Sequence, residues 1–324
     1  MQASTVEVSD GQDLQALIDR AGGGDVLVLG SGTYSGFVLA DRHFTAEQPL
    51  VIKAQPGARP VIRGNDYRGW LARLSNVSYV VLDGLTMENG NQAIYATSVD
   101  HCIFVNLEIR GTGQEAVHVR GNSRHIDIRN CRIHDTGNAE PKWAEGIYLG
   151  MGQRPYENVE NVWIEGNEIF ATGNAEAVNV KARSYHITIC ENRVHDIAPG
   201  TTTQHNEAAI SLEAADLEFR PGVDPDVWIE RNEIYAVRYG RWANGIKVST
   251  MGARVVSNVI RDCQQFGIEF NDYEYGPGVF PTVLHGNTIT ACEAGAINDT
   301  ILPVRHEDPG PNPNRPQTWY AAGP

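Results

Sequence analysis

The chain has 324 residues, 33 of them glycine, and a formal net charge of −14. So acidic a chain repels a nucleic-acid backbone, and an anionic ligand would need a local basic patch or a bound cation to be held. No apolar run reaches the roughly 18 residues of a membrane span. The five cysteines (Cys102, Cys131, Cys190, Cys263, Cys292) lie scattered without a C-x-x-C pair, so they read as small core residues rather than a disulfide framework or a zinc site.

Residues 10–20 carry Leu14, Leu17 and Ile18 on one face and predict a short amphipathic helix, placed to cap the end of a strand-rich body. Short apolar strands follow over 24–29, 32–34, 49–54 and 59–62, separated by Gly, Pro and Asp turns. From residue 70 onward the chain repeats. Triplets ending in an aliphatic residue recur, from Leu85-Thr86-Met87 and Leu107-Glu108-Ile109 to Asn258-Val259-Ile260 and Asn287-Thr288-Ile289, at intervals of 22 to 40 residues. The short intervals match one turn of a solenoid, and the long ones carry insertions over 136–144, 199–206 and 216–226 that would shape a groove.

Each unit reads as three short strands with turns between them. This predicts an all-β, single-domain parallel β-helix, a solenoid, over residues 1–302 with its N-terminal capping helix. Asn167, Asn192, Asn232, Asn258 and Asn287 fall in register and predict a buried amide ladder, which is a structural role. The Pro-rich tail, 303–324, is expected to be irregular, with Trp319 and Tyr320 either packed on the body or free.

A glutamate opens each of three successive strands: Glu115, Glu145 and Glu176. Equivalent residues of neighbouring coils lie about 4.8 Å apart, and three stacked carboxylates repel one another. Ca²⁺, with Asn174 as a further oxygen ligand, would offset that repulsion. Splaying into water, or pairing with Arg120, Lys142 or Arg183, would do so without an ion. Lys181 follows on the Glu176 strand. Near a cation and shielded from water its pKa would fall, making it a base. His118 and Tyr148 share the outward position of Asn179 on earlier coils, where they would donate a proton or stack on a sugar. Arg120, Arg183 and Asn179 are the candidates for holding substrate. Without such a task these side chains form an ordinary ladder. The other histidines, His101 and His125 among them, show no metal-ligand spacing, and His134 and His195 read as turn residues.

These segments resemble a known group. Residues 144–150 (A-E-G-I-Y-L-G) and 175–182 (A-E-A-V-N-V-K-A) are similar to the active-site strands of polysaccharide lyase family six, the alginate lyase and chondroitinase B group of the right-handed parallel β-helix superfamily. The resemblance implies a right-handed coil, Glu145 and Glu176 as Ca²⁺ ligands and Lys181 as the base. Family-nine pectate lyases, which use a calcium-assisted lysine, are a second resemblance. The arginine that family six carries on the next coil as its acid has no counterpart in residues 209–214 (A-I-S-L-E-A), so the donor is sought in His118, Tyr148 or a water.

The expected activity is calcium-assisted β-elimination on a uronic-acid polysaccharide of alginate or pectate type, by a monomeric chain. A glycoside hydrolase using paired carboxylates and a non-catalytic carbohydrate-binding β-helix are the alternatives. Such a protein is expected to be secreted or periplasmic. The first residues carry no charged-then-apolar leader, which fits either an intracellular protein or one whose signal peptide has been removed.

Overall fold

The computed structural model describes residues 3–152, 157–181, 183–197, 208–213, 223–238, 242–249, 252–270, 280, 282–298 and 304–321. The 199–206 insertion and most of 216–226 therefore lie outside the described residues.

Every strand pairing between neighbouring coils is parallel, and the strands fall into three series, one for each face of a solenoid. One coil shows the path. Gln92–Thr97 lies in the first sheet, Asp100–Val105 in the second and Glu108–Arg110 in the third, and Val117–Arg120 then returns to the first sheet one coil on. Trp70–Asp83 runs unbroken through a corner, pairing with Gln92–Thr97 at its start and with Asp100–Val105 at its end. This is the all-β architecture that the triplet repeat predicted.

Alternation within each strand sets what faces inward. In the first sheet, Ile94, Val117, Ile147, Val178, Ile210, Ile246 and Ile268 stack in register, all fully buried. Between the second and third sheets the chain turns sharply. The turning residues, Asn130, Gly166, Glu191, Arg231, Ser257 and Gly286, all take positive φ. The asparagines that follow form the predicted ladder. Asn167 Nδ2 donates to Asn192 Oδ1 at 2.9 Å, and the pattern repeats through Asn232 and Asn258 to Asn287. Each amide also reaches a backbone carbonyl, so the corner is satisfied inside the core.

The helix Leu14–Arg20 is capped by Asp13, whose side chain accepts from Ala16 N, and it buries Leu14 and Ile18 over the first coils. At the other end, the described tail runs back over the outer face of the second sheet. Asn312 donates to Thr188 and Glu230, Gln317 N donates to Asp127, and Tyr320 Oη donates to Asp83 at 2.7 Å. Trp319 and Tyr320 cover Val51, Val81, Ile103 and Val105, which would otherwise present an apolar stripe to water. Cys102, Cys131, Cys190 and Cys263 are buried.

Candidate active site

The strand register places Glu115, Glu145 and Glu176 on consecutive coils at the same position, two residues before the paired Val117, Ile147 and Val178. Coil-to-coil backbone bonds continue through them, with Ala116 N donating to Glu145 O and Gly146 N to Glu176 O. Two residues further along, the outward ladder runs Arg73, Tyr95, His118, Tyr148, Asn179, Ser211, Lys247, Glu269. Two residues beyond that, Lys181 leads to Glu213 on the next coil. An outward face of a solenoid is ordinarily wet. Here Glu115, His118, Glu145, Tyr148, Glu176, Asn179, Ser211, Lys247 and Glu269 are all buried.

Burial sets the charge states. The Glu145 carboxyl is pushed up to about 8 by desolvation, with the neighbouring Glu115 charge adding to the effect. Glu115 is also raised by desolvation, although Gln92 Nε2 donates to its Oε2 at 2.7 Å. Protonation of Glu145 eases the repulsion in this stack, and Arg120 does not pair with it. That arginine forms a two-pronged bond to Glu157, at 2.8 and 2.7 Å. Arg183 sits at the following corner with φ +64° and is half-buried.

Lys181 differs from the sequence expectation. Burial works to lower its pKa, but the Glu213 and Glu176 charges outweigh it and the net shift is upward. Its Nζ forms an ion pair with Glu213 and lies 5.5 Å from the centroid of the Tyr148 ring. Tyr148 is raised to about 12, chiefly by desolvation, and its hydroxyl accepts from Gly152 N at 3.1 Å. His118 is lowered to about 4 by burial and is therefore neutral. Its Nε2 donates to Gly150 O at 3.2 Å and its Nδ1 accepts from Gln92 Nε2 at 3.3 Å. Both ring nitrogens are committed, so His118 positions its neighbours and is a poor proton donor.

Buried oxygens on this face, Glu145 Oε2 and Asn179 Oδ1 among them, meet no hydrogen-bond partner. Each such group costs about 1–3 kcal/mol, and a ligand would satisfy both. The family-six resemblance would fill the place with Ca²⁺. Among the described residues, however, the only trio of His, Cys, Asp or Glu side chains with ligand atoms mutually within 4.8 Å is Asp100, His101 and His125. The three glutamates do not bring their ligand atoms that close together, and the Asn174 backbone is anchored to the 136–144 insertion, its N donating to Pro141 O at 2.7 Å. As they stand, these residues do not fit a three-carboxylate calcium site.

Sequence reasoning missed Gln92, Glu213, Lys247 and Glu269. Carrying the Asn179 register three coils onward reaches Lys247 and Glu269, carrying the glutamate register one coil back reaches Gln92, and Glu213 lies one coil on from Lys181, two residues after Ser211. It also missed an open cleft of about 450 Å³ at the N-terminal end of this face, lined by Arg63, Arg68, Trp70 and Arg73. Trp70 is 39% exposed and donates from Nε1 to Gln92, which links the cleft to Glu115. The Arg73 guanidinium lies 4.6 Å from the Trp70 ring centroid, and its buried Nε has no hydrogen-bond partner.

The family model for the right-handed β-helix region matches residues 71–216. The fold is a right-handed parallel β-helix. Solved β-helix structures agree along almost the whole chain. An alginate lyase from Paenibacillus sp. str. FPU-7 superposes with a TM-score of 0.75 at 22% identity, covering 93% of this chain and 99% of that one. Pectate lyase Pel9A gives 0.57 at 12% identity, covering 96% and 81%. A GH136 lacto-N-biosidase from Eubacterium ramulus gives 0.60 at 13%, covering 91% and 68%. At these identities the likeness is one of fold. No curated protein matches the sequence. No described helix is long and apolar enough to cross a membrane.

Proposed function

We propose that this β-helix is a polysaccharide lyase that cleaves a uronic-acid polymer by β-elimination. The observation that carries this reading is the Lys181 amine held beside the Tyr148 phenol on a buried polar face. In the step, the C5–H bond breaks and its proton passes to neutral Lys181 Nζ. The freed pair forms the C4–C5 double bond, the C4–O bond breaks, and the departing oxygen takes the Tyr148 proton. Proton return from Lys181 to Tyr148 resets the pair. A phenol held at about 12 arrives protonated, whereas Lys181, raised by Glu213, is charged at neutral pH and acts as the base only after losing its own proton. The rate should therefore climb on the alkaline side, and Glu213→Gln should move that limb to lower pH. Lys247 and Asn179 supply a cation and an amide for the uronate carboxylate, and the Trp70–Arg73 cleft extends the same face, with an aromatic surface and a guanidinium suited to an anionic sugar. Such polymers are met outside the cytoplasm, so a secreted or periplasmic location belongs to this reading.

A hydrolase is the second reading, favoured by one observation. Glu145 at about 8 is a carboxyl kept protonated beside other glutamates, as a general acid beside a base or nucleophile would be. The deciding experiment incubates the protein with alginate, polygalacturonate and glycosaminoglycans, with Ca²⁺ and with EDTA, and follows the ultraviolet absorbance of the unsaturated uronate. A rise with one polymer supports elimination and names the substrate. New reducing ends without that absorbance favour the hydrolase. Silence in both would overturn both in favour of a carbohydrate-binding protein. Loss of the signal in EDTA would restore calcium to the mechanism.

A further inference from the structure

In the second sheet the pairing register steps over one residue in each coil: Asp100 pairs with Arg124 and Cys102 with Ile126, leaving His101 and His125 outside the ladder. Tyr79, His101 and His125 all take positive φ, 55°, 53° and 54°. A left-handed residue repeated at one position on successive coils places these side chains one above another. The Tyr79 and His101 rings lie 4.5 Å apart at 12°, and those of His101 and His125 lie 4.2 Å apart at 26°. A separation of 24 residues in sequence, which showed no ligand spacing, is one coil in space.

Both histidines present the same nitrogen to the same oxygen. His101 Nδ1 lies 2.7 Å and His125 Nδ1 2.8 Å from Asp100 Oδ1. The His125 contact has hydrogen-bond geometry. The His101 contact does not, and that buried nitrogen has no hydrogen-bond partner. A nitrogen that close to a carboxylate oxygen and not aligned to donate is placed as one ligand atom sits beside another. Arg124 holds the other carboxylate oxygen, Oδ2, from Nε and a terminal nitrogen at 3.0 and 2.9 Å, leaving Oδ1 turned toward the imidazoles. Between about a quarter and a third of each of the three side chains is exposed, so an ion has a path in and room for water ligands.

We propose that Asp100, His101 and His125 form a binding site for a divalent first-row transition ion of the Zn²⁺ class. Two imidazoles and one carboxylate with positions open to water suit such an ion, whereas Ca²⁺ and Mg²⁺ prefer all-oxygen sets. The ion joins two adjacent coils from outside the core. The tail lies against the same place, with Gln317 Nε2 donating to His125 O at 2.7 Å and Trp319 edge-on to Tyr79 at 5.3 Å. The site is on a different sheet from Lys181 and stands whether or not the chain is a lyase.

The test is calorimetric titration of the full chain, freed of metal, with ZnCl₂ and NiCl₂, and with CaCl₂ and MgCl₂ as controls. One saturable site for Zn²⁺ and Ni²⁺ is expected, with a matching rise in melting temperature. His101→Gln with His125→Gln should abolish it, and Arg124→Ala, which frees Oδ2, should weaken it by about 10–100-fold. Zinc-soaked wild-type crystals make the result independent of how the variants fold: an anomalous peak among the three side chains supports the site. Absence of saturable binding, binding unchanged in the double variant, or a peak elsewhere overturns it.

Discussion

The outer faces of the first and third sheets use the same positions of the same coils to opposite ends. On the third sheet the charged groups pair with one another along the surface. Glu108, Arg132, Glu168, Arg193 and Glu233 alternate in sign up the ladder, with Arg132 Nε bonded to Glu168 at 3.1 Å. Beside them His134, Phe170, His195 and Tyr235 stack at 4.7, 5.0 and 4.9 Å, nearly parallel. His134 and His195, expected in turns, are thus strand residues whose rings extend an aromatic ladder. On the first sheet acidic side chains stack instead, the Glu145 carboxyl is kept protonated chiefly by burial, and buried oxygens lack partners. A solenoid can satisfy an outward ladder cheaply by alternating charge. Where it stacks three glutamates and buries them, the stability forgone points to a ligand.

The contrast can be broken most sharply at Lys181. Lys181→Ala should lower turnover on the responsive polymer by about 10²–10⁴-fold with unchanged circular dichroism, and Tyr148→Phe should fall in the same range. Unchanged rates in either would remove that side chain from the chemistry.

Glu145 tests the same face through stability. Its folded pKa, about 8, stands above the ordinary value of 4.5, so the folded state keeps a proton that the unfolded chain releases. Stability is therefore greatest below about 4.5 on this account and is lost as pH rises toward 8. Melting curves across that window should fall for the wild type and flatten for Glu145→Gln; parallel curves would refute the buried, protonated carboxyl.

The second sheet, covered by the tail, lies between the two extremes. Trp319→Ala with Tyr320→Ala uncovers its apolar stripe and should cost about 1.5–3 kcal/mol per ring, read by urea denaturation. The smallest effect is expected on the third sheet. Glu168→Ala removes exposed ion pairs and should change stability by no more than about 1 kcal/mol, with turnover untouched. A large loss there would mean that the two faces are not as different as their hydrogen bonding implies.

Much of the architecture was legible before any coordinates. The asparagine ladder, the apolar alternation and the recurrence of glutamate at the head of three strands are local patterns, and a solenoid repeats local patterns in space. The register of Glu115, Glu145 and Glu176 followed from alignment alone, because neighbouring coils pair residue for residue. The raised pKa of Lys181 was not legible. It depends on Glu213, 32 residues away, arriving at the next rung, and on how deeply both are buried.

The amino-acid order by itself determined the coil and its faces, since strand period and turn chemistry act within a few residues. Only the tertiary structure decided which outward groups were taken from water, which carboxyls keep their protons, and that His101 and His125 share Asp100. Desolvation and charge coupling act through space, and the coil-to-coil register brings together residues that the sequence separates by a whole turn of the helix.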